Sequence, residues 1–130
     1  MKKATHKFKL TLRLSVVLNG QLIGSRTIND APSILLELVA YINFTVEAIS
    51  AYLVAQLSTL LKRDTVGHLE VYISHGTHKN CIFDVHGLIP AERTEIRNWI
   101  EKQYADIRRK IILIFFEAML DEVTQNGLDN

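Results

Sequence analysis

A single cysteine, Cys81, stands in 130 residues. No intrachain disulfide can close, so the fold must rest on packing, and a reducing, cytoplasmic setting is expected. Charge of one sign is also missing. Fifteen basic against 14 acidic residues leave a net charge of +1, too little for a bulk field that recruits nucleic acid or an anionic membrane. After Met1-Lys2-Lys3-Ala4 no continuous apolar stretch follows, because residues 8–18 alternate apolar with polar, and a secretory leader is not expected. The longest apolar run, residues 38–61, is interrupted by Asn43, Glu47 and Gln56. A span of about 20 apolar residues tolerates such groups poorly, since a central Asp, Lys or Arg costs roughly 2.5–3.5 kcal/mol. The run therefore reads as a buried helix and not as a membrane crossing. Phosphate-loop, dinucleotide-binding and Gly-x-Ser-x-Gly signatures are absent, which removes the reaction classes that depend on them.

What the chain does hold is apolar material, 48% of residues, enough for one domain over 1–130 with its own core. It also holds the same layout twice. Residues 8–28 read as a strand pair and 31–63 as a long apolar helix, then 68–86 as a second pair and 91–123 as a second helix. The expected fold is α+β: two β-hairpins forming one antiparallel sheet, with two long helices on one face, in ββα-ββα order. The halves 7–63 and 66–124 read as a pseudo-repeat, and the polar tail 124–130 is expected to fray.

Phe8, Leu10, Leu12, Leu14, Val16 and Leu18 fill the even positions, the period of a strand with one face in a core. Asn19-Gly20 marks the turn. A two-residue loop sets Leu14 opposite Ser25. A three-residue loop, Leu18-Asn19-Gly20, sets Leu10 opposite Ile28, Val16 opposite Leu22 and Thr11 opposite Thr27. The second register keeps apolar against apolar and is preferred, because a one-residue slip exchanges the faces. In the second hairpin Leu69, Val71 and Ile73, with Cys81, Phe83 and Val85, form the core side, and residues 76–80 the turn.

Asp30 suits an N-cap and Pro32 the first turn of the first helix. From Ala31 to Leu61 only Glu37 and Glu47 are charged, and the helix reads as apolar nearly all round, which demands cover on most sides. Tyr41, Phe44 and Tyr52 read as core or interface. In the second helix Ile96, Ile100, Tyr104, Ile107, Ile111, Ile114 and Ala118 keep helical spacing, and Asp106 and Lys110 make a favourable i,i+4 pair. Helices of some 30 residues run roughly 45–50 Å at 1.5 Å per residue, against a radius of gyration of about 14 Å for a compact chain of this length. Either they break or their ends pack on another chain. A homodimer is the expected closure, with Leu38, Ile42, Ile49, Leu53, Ile114 and Phe115 as interface candidates; a different protein partner is also compatible.

The sharpest chemical constellation is His68-Leu69-Glu70 against Asp84-Val85-His86. Residues two apart on a strand share a face, so two imidazoles and two carboxylates converge if the strands pair. Such a set suits a divalent metal or acid–base work. One register sets Glu70 opposite His86, an ordinary cross-strand pair; the other sets Glu70 opposite Asp84, a repulsion that wants a cation. His75, His78 and Cys81, at intervals of three, are a weaker metal pattern. Lys7, Lys9 and Arg13 give a basic strand face that suits a phosphate backbone, without an aromatic stacking platform beside it. The expected function is a non-enzymatic, homo-oligomeric interaction or regulatory module without a cofactor. The alternatives are a metal-dependent enzyme or a metal- or small-ligand-binding protein on the 68–86 hairpin, and a nucleic-acid binder on the basic face.

Overall fold

The structure, a computed structural model, describes residues 11–29 and 35–128. Two hairpins, β1 (Thr11–Leu18) with β2 (Gln21–Asn29) and β3 (Thr65–His75) with β4 (His78–Ile89), build one antiparallel sheet in the order β2-β1-β3-β4. The first strands of the hairpins meet at the centre, Val16 opposite Val71. Antiparallel pairing there relates the two hairpins by an approximate two-fold rotation about the middle of the sheet. The fold is α+β, with helices on one sheet face.

The first turn differs from the three-residue loop expected. Asn19 and Gly20 both have positive φ, 50° and 81°, as a two-residue turn matched to strand twist requires. Leu18 faces Gln21, Val17 faces Leu22, and then Ile23 bulges so that Val16 faces Gly24 and Leu12 faces Ile28. Even positions still meet even ones, but through a bulge, and Thr27 faces Arg13 instead of Thr11. The second hairpin does the same. Gly76-Thr77 is its turn, and Ile82 bulges between the pairs Tyr72–Cys81 and Val71–Phe83. Both Ile82 and Phe83 are consequently buried. Cys81 is displaced from the core side expected for it to a half-buried place opposite Tyr72.

Three helices follow: α1 (Leu35–Leu60), α2 (Arg93–Glu101) and α3 (Tyr104–Leu128). The single second helix expected from the spacing is thus broken. Neither Pro nor Gly causes the break; Gln103 N–H bonds Ile100 O at 2.9 Å, a tightened step, and Gln103 O then accepts from Ile107 N–H to restart the helix. The step lets Ile96 and Ile100 on one side, and Ile107, Ile111 and Phe115 on the other, all reach the same core. Trp99 meets Phe83 edge-on at 5.3 Å and fixes α2 to β4. The described part of α3 runs to Leu128.

α1 is not apolar all round. Ile42, Val46, Ile49, Leu53 and Leu57 make one buried face at spacings of four, three, four and four, and Ala40, Asn43, Glu47, Ala51 and Thr59 are exposed. Tyr52 is partly buried and donates to Ser25 O at 3.4 Å. Gly24 makes room for it, since a Cβ there would come within 2.6 Å of the Tyr52 hydroxyl. Asp30 and Pro32, and the side chain of Tyr41, lie outside the described residues, as do residues 1–10. Among the described residues no helix is long and apolar enough to cross a membrane.

Candidate functional site

The helices cover the sheet face of Leu12, Leu14, Val16, Leu69, Val71 and Ile73. The opposite face carries the sequence-derived metal candidates, and the register decides how they meet. His68 lies opposite His86 and Glu70 opposite Asp84, the alignment that wants a cation. His68 Nε2 and Asp84 Oδ1 are 2.6 Å apart, and His68 Nδ1 lies 3.7 Å from Glu70 Oε1. The two imidazole rings stack at 3.8 Å between centroids and 12° between planes. One ligand atom each from His68, Asp84 and His86 fall within 4.8 Å of one another; Glu70 stands behind His68 instead of joining them. His68 and Glu70 are half-buried, whereas Asp84 is exposed and so is His86.

Three residues not singled out as site residues from the sequence hold this arrangement. Tyr72 donates its hydroxyl to Glu70 Oε2. That hydrogen bond first, with burial and the Glu70 charge behind it, pushes the phenol from 10.0 up to about 12. Lys79 Nζ sits 4.3 Å from the centre of the Tyr72 ring. Asn19, in the turn of the other hairpin, clamps the His68 backbone from both sides: its N–H donates to His68 O at 2.8 Å, and its Oδ1 accepts from His68 N–H at 2.9 Å. Gly67 permits the clamp, because a Cβ there would lie 2.8 Å from Asn19 Oδ1. Tyr72 was legible as a polar-face neighbour; the Asn19 clamp joins residues 49 apart and leaves no sequence signal.

The other candidates separate. His75 and His78 line a small cavity against Ile114, Glu117 and Asp121 of α3, while Cys81 pairs with Tyr72 on the opposite face, so these three do not converge. Burial pushes the Cys81 thiol up, away from the thiolate that ligates metals or attacks. Of the basic set, Lys7 and Lys9 lie outside the described residues, and Arg13 is exposed opposite Ser74. Further basic residues are engaged: Arg108 donates to Asn43 Oδ1 at 2.7 Å, and Arg109 and Lys110 both pair with Asp106, at 2.5 and 3.1 Å. Asp106 is held below the usual carboxylate range by those two partners.

Five of the six residues expected at an interface are placed by the structure. Ile42, Ile49, Leu53, Ile114 and Phe115 are buried in the chain's own core, none more than 5% exposed, because their spacing forms the face that meets the sheet. The side chain of Leu38 lies outside the described residues. Large apolar side chains do stand exposed at other places: Phe44 on α1, Leu113, Phe116 and Leu120 on α3, and Leu22, Val66 and Leu88 on the sheet. No family model, curated protein or solved structure matches the chain.

Proposed function

We propose that this chain is a non-enzymatic module that works by association, with a second copy of itself as its first partner. The observation that carries the reading is the stripe on α3. Leu113, Phe116 and Leu120, at i, i+3 and i+7, are 56, 44 and 65% exposed. Positions so spaced lie along one side of a helix, and an apolar seam of this kind is what helices use to pair with one another. The same side chains on two copies form a self-complementary, two-fold contact. α3 carries a separate buried face, with Ile107, Ile111, Ile114 and Phe115 in the core, so the stripe is surplus to folding. A reducing, cytoplasmic setting is part of the same proposal and rests on the lone cysteine.

Sedimentation velocity of the full chain over rising concentration tests it. Reversible conversion from monomer to dimer supports the reading, and a monomer throughout overturns it.

A further inference from the structure

We propose that the open face of the β3–β4 hairpin binds a borderline divalent transition ion of the Zn²⁺ class, ligated by His68, His86 and Asp84 and leaving one position for water or an incoming ligand. Two imidazoles with one carboxylate are the donor set such ions prefer, whereas Mg²⁺ and Ca²⁺ seek oxygen alone. Three protein ligands with an open fourth position are the arrangement of ligand-accepting zinc sites.

The geometry brings the three donors near ligating distance. Ligand atoms around a tetrahedral ion with bonds of about 2.0–2.1 Å sit roughly 3.3 Å apart. Here the three atoms lie within 4.8 Å of one another with His68 Nε2 and Asp84 Oδ1 already at 2.6 Å. Asp84 and His86 are exposed and His68 is half-buried, so the side-chain torsions of the first two can make up most of that difference. The cross-strand neighbours Glu70 and Asp84 are both anionic, and opposed like charges destabilise a sheet unless something cationic stands between them. In the structure His68 occupies that place, one ring nitrogen toward each carboxylate.

Glu70 has a role of its own. A metal-bound imidazole commonly gives its other N–H to a carboxylate, which fixes the tautomer and aims the free nitrogen at the ion. Glu70 faces Nδ1 of His68, and Tyr72 holds Glu70 by the hydroxyl hydrogen bond. The Asn19 clamp fixes the His68 backbone beneath. Glu70 is therefore a positioning residue, and Nε2 of His68 is the ligating atom. Binding has to open the ring stack, since parallel rings direct their lone pairs side by side; the rings must tilt until both point at one ion.

Chelator-treated full chain titrated with Zn²⁺ by calorimetry, and followed by NMR of the imidazole nitrogens, tests the proposal. The expected result is one Zn²⁺ per chain, with the ring signals of His68 and His86 shifting together. His86→Ala or Asp84→Asn should abolish or greatly weaken uptake, Glu70→Gln should cost about 10–100-fold in affinity, and His78→Ala should leave it unchanged. Circular dichroism of each variant confirms folding. No saturable uptake by the folded chain overturns the proposal. So does uptake that survives His86→Ala, uptake that is lost with His78→Ala, or equal competition by excess Mg²⁺. Oligomeric state enters none of these readings, so a Zn²⁺-binding monomer would remove self-association and leave this site standing.

Discussion

Phe116→Glu isolates the α3 stripe. Fully burying a Leu or Phe side chain is worth roughly 1.5–3 kcal/mol. Leu113, Phe116 and Leu120 are 56, 44 and 65% exposed, so each has about half of that left to gain, roughly 1 kcal/mol. Three such residues on each of two copies supply about 6 kcal/mol, against an association cost of roughly 4–15 kcal/mol. The stripe alone offsets only the low end of that cost. An expected dissociation constant of roughly 0.1–1 mM, about 4–5.5 kcal/mol, therefore requires rim contacts to add at least about 2–3.5 kcal/mol to the stripe. Phe116→Glu removes about 1 kcal/mol from each copy and brings two carboxylates into one seam. A loss of about 2 kcal/mol is roughly a 30-fold weakening, enough to leave mostly monomer at concentrations up to about 1 mM. The residue lies outside the core cluster, so the folding stability lost should stay near about 1 kcal/mol, the value of its part already buried. Sedimentation velocity from about 10 µM to about 1 mM brackets the expected constant. A dimer that persists unchanged in Phe116→Glu refutes the assignment of the seam, and a wild type that never dimerises refutes the reasoning from exposure.

Phe115, its neighbour, points the other way and is fully buried. Phe115→Ala should cost about 3–5 kcal/mol by urea unfolding, a loss that Phe116→Glu should not show. Spectrophotometric titration of the phenols should find Tyr72 near 12, and Glu70→Gln should return it toward 10.0, because the hydrogen bond to Glu70 is the largest cause of the rise. The sign follows: the fold favours the neutral phenol, so this contribution to stability is complete below pH 10 and disappears as pH rises through about 12. Asn19→Gly keeps a residue that accepts positive φ but removes the side-chain acceptor from His68 N–H. The His68 amide should then exchange faster, with a stability loss of roughly 0.5–1.5 kcal/mol.

The sheet was legible because alternation is local. Leu12, Leu14, Val16, Leu69, Val71 and Ile73 are core residues, and they are the ones that the period of two assigns inward. The helix break was not legible, because residues 102–103 contain no breaker, and only the assembled chain shows Ile96 and Ile100 before it and Ile107 and Ile111 after it reaching one core. The burial of the interface candidates was hidden for a related reason. Length and apolar content say that a helix needs cover, but only the assembled chain shows that the sheet and the other helices provide it for Ile42, Ile49 and Leu53. The surplus lies instead on α3, at Leu113, Phe116 and Leu120.

The candidate residues on the open sheet face could be read from the sequence, but their pairing could not, and the bulge explains why. A two-residue turn at Gly76-Thr77 sets His75 opposite His78. Continued without interruption, that register would put Glu70 opposite Phe83 and His68 opposite Val85, forcing charge and apolar residues onto one face. The binary pattern demands a register one residue longer, and Ile82 supplies the residue by bulging, after which Glu70 meets Asp84 and His68 meets His86. The first hairpin resolves the same conflict in the same way: its tight Asn19-Gly20 turn would set Leu12 opposite Thr27, and the bulge at Ile23 restores Leu12 to Ile28. In both hairpins turn chemistry and face alternation disagree by one residue, and burial, which concerns every side chain along the strand, prevails over regular pairing at a single point. The convergence of two imidazoles and two carboxylates is thus a consequence of how the core was satisfied on the opposite face.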